Sequence, residues 1–180
     1  MTAEIRIEAA SPADAPAIAA LYAHHVLHGT ATFEIEPPGA AEIAARMAKV
    51  AAAGLPWLAA RDAAGVLIGY AYAAPFHARA AYRHTAENTI YIRHDKLGQG
   101  LGTRLLAALL AACEAAGLRQ VVALVAATEP ASVALHGKAG FVEAGRLHAV
   151  GRKHGQWLDV IYMQRPLGAG DTTAPEAEPG

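Results

Sequence analysis

The 180-residue chain holds one cysteine, Cys113. That excludes an internal disulfide framework and any thiolate-cluster metal site. Cys113 lies in the apolar run Leu105–Ala116, where a small packed residue is the expectation rather than a reactive thiol. No apolar stretch approaches the roughly 20 residues that span a bilayer. Residues Met1 to Ala10 carry Glu4, Arg6 and Glu8 and no apolar core, unlike a signal peptide. Charge of one sign is also missing: 15 Lys plus Arg face 16 Asp plus Glu, a formal net charge of −1. Neither nucleic acid nor an anionic membrane is therefore expected as a partner. With no disulfide and no leader, the cytoplasm is the expected compartment.

Apolar residues are plentiful, at 54%. Much of that share is alanine, which favours helix without adding a greasy surface. The length suits one domain, and no internal repeat is visible. Ile5, Ile7 and Ala9 alternate with Arg6 and Glu8 as a short strand. Ser11-Pro12-Ala13-Asp14 offers caps for a helix through Leu27, and Gly54 closes a second helix from Gly39 to Ala53. Pro56–Arg61 and Val66–Ala73 read as an antiparallel hairpin. A polar loop runs from Pro75 to Ala86, followed by a strand at Asn88–Ile92 and a helix at Leu101–Ala116. Gln120–Val125 is a strand, Ala131–Lys138 a short helix, and Phe141–Leu147 and Trp157–Gln164 late strands. This order predicts an α/β mixed sheet, mostly antiparallel, with helices on both faces. The expectation is one domain over 1–167 and a tail at 168–180, rich in Gly, Pro, Thr and Glu, outside the fold.

The chemistry-bearing segment is a strand ending at Ile92, then Gly98-Gln99-Gly100-Leu101-Gly102-Thr103 opening a helix. Unpaired N–H groups at a positive helix end suit pyrophosphate, and glycines let backbone approach phosphate oxygens. The spacing fits neither the Walker pattern nor the full dinucleotide fingerprint, so from spacing alone a plain tight turn stays open. Glu87, at the start of the strand, reads on its own as a surface charge before it reads as a base. His24 and His28 stand four apart, but no third ligand follows at motif spacing, so no metal is expected.

With Gly98-Gln99-Gly100-Leu101-Gly102 and Leu135-His136-Gly137-Lys138-Ala139-Gly140-Phe141, the chain resembles the GNAT acetyltransferase superfamily. It is closer still to the phosphinothricin N-acetyltransferase group, whose members acetylate phosphinothricin and, in some cases, methionine sulfoximine or sulfone. Supporting segments are Thr32-Phe33, Pro56-Trp57-Leu58, Gly69 to Ala73, Ala78 to Tyr82, Glu87 to Ile92, and Lys153 to Val160.

The resemblance implies a sheet opened where two parallel strands splay, with acetyl-CoA as co-substrate. Pantetheine would lie on the backbone of Ile90, Tyr91 and Ile92, and pyrophosphate on Gly98, Gln99, Gly100, Leu101, Gly102 and Thr103. Leu97 stands where relatives often carry Arg or Gln. Glu129 stands where an Asn usually contacts pantetheine. Glu87 is implied as general base and His136 as the proton donor to the leaving thiolate, a helix-surface histidine being the equal alternative for the latter. Phe33, Arg79, Tyr82, Thr89 and Val160 are implied around a small amino-acid-like acceptor, Arg79 matching its anionic group. The late segment closes the pocket from the same subunit or a partner, and a homodimer is implied. Rival readings are an acetyltransferase for another amine, a non-catalytic acyl-CoA sensor on the same fold, and a nucleotide-binding module.

Overall fold

The structure is a computed structural model and describes residues 5–176. The leader reading at residues 1–4 and the tail reading at 177–180 lie outside the described residues. Seven strands form one sheet in the order β1-β2-β3-β4-β5-β7-β6. They are β1 (Arg6–Ala9), β2 (Trp57–Arg61), β3 (Leu67–Pro75), β4 (Thr85–Ile92), β5 (Gln120–Ala126), β6 (Val142–Lys153) and β7 (Gln156–Pro166). The helices are α1 (Ala15–His28), α2 (Ala40–Ala52), α3 (Leu101–Ala115) and α4 (Pro130–Lys138). The expected mixed α/β sheet is what forms, with β4 and β5 its parallel pair.

Two apolar layers hold the sheet. On one face α3 buries Leu101, Leu105, Leu106, Leu109, Leu110 and Cys113 against Ile68, Val121, Phe141 and Met163. Those positions recur at the three- and four-residue spacing of one helix face. Leu105, Leu106 and Leu109 are fully buried, so truncating any one to alanine costs about 2–5 kcal/mol in cavity and lost transfer free energy. Burial pushes the Cys113 thiol up to about 12, which leaves it protonated and inert as a packing residue. On the other face α1 and α2 pack Ile18, Val26, Ile43 and Met47 against Trp57, Ala59, Leu67 and Tyr70.

The parallel pair is short. It aligns Thr85 with Gln120, Ala86 with Val121 and Glu87 with Val122, and there it stops. Both strands continue, β4 to Ile92 and β5 to Ala126, each held by its outer antiparallel neighbour. The sheet therefore parts immediately beyond Glu87.

Three stretches differ from the expectations. Strand β4 begins at Thr85, because its first three residues are recruited by β5 rather than by local propensity. β6 runs through Lys153, where a strand ending at Leu147 is expected, and turns into β7 at His154-Gly155. Residues 168–176, expected outside the fold, begin as a turn tied to it. Gly170 N–H donates to the Leu167 carbonyl (2.8 Å), and the Arg119 guanidinium donates to Thr173 O (2.9 Å) and Oγ1 (2.7 Å).

Candidate active site

The parting of β4 and β5 opens a cavity of about 280 Å³. Its walls are Ala31 and Phe33, the β4 run from Glu87 to Tyr91, the β5 run from Ala123 to Ala126, then Glu129, Ser132, His136 and Val160. Successive β4 side chains point to opposite faces. Glu87, Thr89 and Tyr91 thus share the α1–α2 face with Phe33, while Asn88 and Ile90 share the α3–α4 face with His136. Because the strands are apart, one opening serves both faces. That geometry suits an acceptor entering from one side and a thioester from the other.

Backbone direction within β4 follows from its hydrogen bonds. Arg93 N–H donates to Ile68 O (2.9 Å) and Phe76 N–H to Thr85 O (3.3 Å), so odd-numbered residues turn to β3. His84 O accepts from Arg119 and Gln120 (2.8 and 3.1 Å), so even-numbered ones turn to β5. Alternation then aims the backbone of Asn88, Ile90 and Ile92 into the opening. Tyr91 departs from the expectation that its backbone lines the cofactor: by the same alternation its peptide faces β3, while the residue stands among those around the cavity. The ring packs edge-on against Tyr22, with centroids 4.9 Å apart. The Ile92 carbonyl also accepts a hydrogen bond from His25 Nε2 (2.8 Å), which ties β4 to α1.

Glu87 is half-buried, and desolvation raises its carboxyl above the ordinary carboxylate range. His136 is 2% exposed. Its Nδ1 lies 2.8 Å from the Ser132 carbonyl, which can only accept, so Nδ1 carries the proton. Its Nε2 then accepts from Asn88 Nδ2 at 3.0 Å. Burial pushes the imidazole below its usual range, partly offset by the Ser132 carbonyl. His136 is thus a neutral ring whose second nitrogen is engaged on β4, and no proton of its own points into the cleft. Asn88 Oδ1 is buried with no hydrogen-bond partner.

The glycine segment forms the turn before α3. Gly98 and Gly100 hold φ of 72° and 77°, and Gly100 is the residue before the helix's first turn. Leu101 and Gly102 lie inside α3, and Gly102 packs close to Leu135 of α4. Gln99 reaches back to the Asp95 carbonyl (3.4 Å). Leu97 is 58% exposed beside this turn. A positive helix end behind left-handed glycines fits a pyrophosphate, and the parted strand edges fit a pantetheine chain. The residues present therefore fit acetyl-CoA. Glu129 accepts from Thr30 Oγ1 (3.1 Å), and Thr30 is also 2.8 Å from Thr128 Oγ1, so this carboxylate bridges the two banks of the cleft.

The cavity thus gathers Glu87, Thr89, Ile90, Tyr91, Glu129, His136, Phe33 and Val160. It does not gather Arg79 and Tyr82, which sit exposed on the loop before β4, where Tyr82 packs against Phe76 and His77. Nor does it reach the Gly98–Thr103 turn. Sequence reasoning missed Ala31, Ser132, the β5 wall and Asn88. Asn88 alone carried a signal, its position between Glu87 and Thr89. The late segment is tied within the chain to the loop before Phe33: Lys153 Nζ donates to Thr32 O (2.8 Å). His24 stacks on His94, ring centroids 3.9 Å apart, and His28 lies tilted against His24 at 4.9 Å.

Comparison with known proteins agrees with this geometry. A family model described as the acetyltransferase (GNAT) domain matches residues 7–162. The phosphinothricin N-acetyltransferase of Alcaligenes faecalis is 54% identical over 165 residues, covering 91% of this chain and 83% of that protein. The L-methionine sulfoximine/L-methionine sulfone acetyltransferase of Pseudomonas aeruginosa is 39% identical, covering 93% and 96%. Among solved structures, a GNAT phosphinothricin acetyltransferase from Sinorhizobium meliloti, in complex with acetyl-CoA, superposes with a TM-score of 0.92. It is 44% identical, covering 97% of this chain and 94% of that one. A splayed β4–β5 pair, a glycine turn opening α3 and these relatives lead to one conclusion: the chain belongs to the GNAT acetyltransferase family, and it is an acetyl-CoA-dependent acetyltransferase.

Proposed function

We propose that the chain moves acetyl from acetyl-CoA to the α-amine of a small amino-acid-like acceptor of the phosphinothricin, methionine sulfoximine or methionine sulfone type. One observation carries the reading. The ionisable groups lining the cavity are Glu87, Tyr91, Glu129 and His136, with no lysine or arginine among them, so the cleft draws an amine inward. The acceptor's anionic end then faces the loop bearing Arg79 and Tyr82. The names of the similar acetyltransferases support the acceptor class.

In this reading acceptor and acetyl-CoA bind together. Glu87, directly or through water, takes a proton from the ammonium, and the freed lone pair attacks the thioester carbonyl. The Ile92 N–H stabilises the developing oxyanion. The tetrahedral centre collapses with loss of the thiolate, and the second proton of the nitrogen passes to that thiolate or to solvent. The sequence-implied role of His136 as donor to that thiolate requires a second ring proton, which burial disfavours. We assign it instead a holding role, fixing Asn88 at the point where the strands part. Cys113 is buried in α3 packing, so no acetyl-enzyme forms on it.

The test is free-thiol release from acetyl-CoA against phosphinothricin, methionine sulfoximine, methionine sulfone, common amino acids, spermidine and an aminoglycoside. Turnover of the first three is expected. Turnover of spermidine or the aminoglycoside in their place overturns the acceptor, and tight acetyl-CoA binding without any turnover favours a sensor.

We place the protein in the cytoplasm as a homodimer. Among the described residues no helix is long and apolar enough to cross a membrane. Val142, Leu147, Val150 and Trp157 stand exposed on the β6–β7 hairpin at the sheet edge, an apolar surface suited to a second copy. Light scattering at micromolar concentration is expected to give twice the 18.6 kDa chain mass. A monomer there overturns the dimer.

A further inference from the structure

Behind Phe33 lies a residue with no side chain. An ideal Cβ built on Gly151 would sit 2.2 Å from Phe33 Cε2 and 2.4 Å from Cδ2, closer than any real contact. Phe33 lines the cavity and Gly151 does not, so Gly151 backs the ring on the side away from the cleft.

The approach is constructed by residues far apart in sequence. In β6 the pairing with β7 breaks between Leu147 and Gly151, and Ala149 takes a φ of 52°. Asp159 on β7 holds this bulge. Its Oδ1 accepts the Ala149 N–H (2.8 Å), and its Oδ2 accepts from Arg146 (2.8 and 3.0 Å) and contacts His148 Nδ1 (3.1 Å). Beyond the bulge, Gly151 pairs with Leu158 and Lys153 with Gln156. Residues two apart share a strand face, so Gly151 and Lys153 meet the same loop.

That loop cannot retreat easily. Lys153 Nζ, buried, donates to Thr32 O (2.8 Å), and Thr32 Oγ1 lies 2.6 Å from Tyr22 Oη. Tyr22 Oη also donates to Glu34 (3.0 Å), and Arg46 grips both oxygens of Glu34 at 2.6 and 3.2 Å. Residues 32 and 34 are thus pinned on either side of Phe33. A side chain at position 151 would be answered by the ring turning toward the cleft.

We infer that Gly151 is a specificity-determining residue, setting the depth of the acceptor end of the cleft by seating Phe33 and so admitting acceptors with extended polar side chains. The inference rests on the amino-acid acceptor proposed above. Gly151 acts through Phe33 and is a positioning residue, not a catalytic one. Its backbone lies outside the left-handed region, so alanine fits there without backbone strain.

The experiment compares wild type, Gly151→Ala, Phe33→Ala and the double variant. KM is measured for phosphinothricin, for the shortest amino acid turned over and for acetyl-CoA. Gly151→Ala is expected to raise the phosphinothricin KM tenfold or more, the short-acceptor KM less than threefold, and the acetyl-CoA KM less than twofold. The double variant is expected to return to within threefold of Phe33→Ala. An equal rise for both acceptors, no rise, or no rescue overturns the inference while leaving the proposed function standing. If wild type acetylates no amino acid, the proposed function fails, and a crystal structure of Gly151→Ala decides the inference. A ring turned into the cleft upholds it; a ring in place over a shifted hairpin overturns it.

Discussion

Glu87→Gln is expected to lower kcat by about a hundred- to ten-thousandfold, the usual contribution of a positioned proton-transfer group. Acetyl-CoA affinity, measured by calorimetry, is expected to stay within twofold. The reasoning starts from position. Glu87 is the last β4 residue paired with β5, so the surrounding backbone is held while the side chain meets the open cleft. Burial raises its carboxyl pKa, which makes it a better proton acceptor once ionised than an exposed glutamate. Glutamine keeps the shape and removes the basicity. A kcat within fivefold of wild type would remove Glu87 from the chemistry and leave the acceptor amine to lose its proton to solvent.

The raised pKa has two signed consequences. As pH climbs through the Glu87 folded-state value, above the ordinary glutamate range, kcat/KM rises as the base ionises, and Glu87→Gln flattens that limb. For stability the sign is opposite. The folded state holds its proton more tightly than the unfolded chain, so Glu87 lowers stability as pH rises from the unfolded pKa to the folded one. Above both values the penalty is complete. Glu87→Gln is therefore expected to melt no lower than wild type at neutral pH, which separates lost chemistry from lost fold.

Much of the architecture is legible because the local signals agree with the global fold. Gly100 and Gly117 bracket α3, with an unbroken leucine face between them. Ser11-Pro12 opens the first helical stretch, and Asp62-Ala63-Ala64-Gly65 marks the β2–β3 turn. The site is legible through likeness more than through physics. Glu87 alone reads as a surface charge, since nothing local says that β4 and β5 separate one residue later. Register is a long-range property, set here by antiparallel partners on the outer side of each strand. The grip on Phe33 is invisible for the same reason: Tyr22, Arg46, Gly151 and Lys153 meet it from 10 to 121 residues away in their hydrogen bonds and contacts. The extension of β6 is hidden by its glycines and exposed charges, which resemble a loop until Asp159 supplies the bulge's partner. Arg79 shows the converse case, a residue that likeness brings to the acceptor and that stands outside the cavity wall, on the loop before β4.

Gly100→Val is expected to raise the KM for acetyl-CoA by about ten- to a hundredfold, with kcat at saturation changed less than threefold. Nothing lies within 4 Å of a Cβ built at Gly100, so space does not forbid a side chain there. Conformation does: φ is 77° and ψ is −1°, a left-handed backbone that costs an ordinary residue about 1–2 kcal/mol, and a β-branched one more. The chain relieves that strain by flipping the turn, which re-aims the N–H groups ahead of α3 and disperses the anion seat. Asparagine tolerates the left-handed region, so Gly100→Asn is expected to stay within threefold of wild type. If asparagine is as damaging as valine, close approach of phosphate to the bare Cα decides the position, not φ. Leu97→Arg supplies the control of opposite sign, because a cation added beside the same turn is expected to lower the acetyl-CoA KM severalfold. That gain should vanish in half-molar salt, where screening shortens the reach of an exposed charge to a few ångströms. A salt-independent gain would mean that position 97 acts through packing rather than charge.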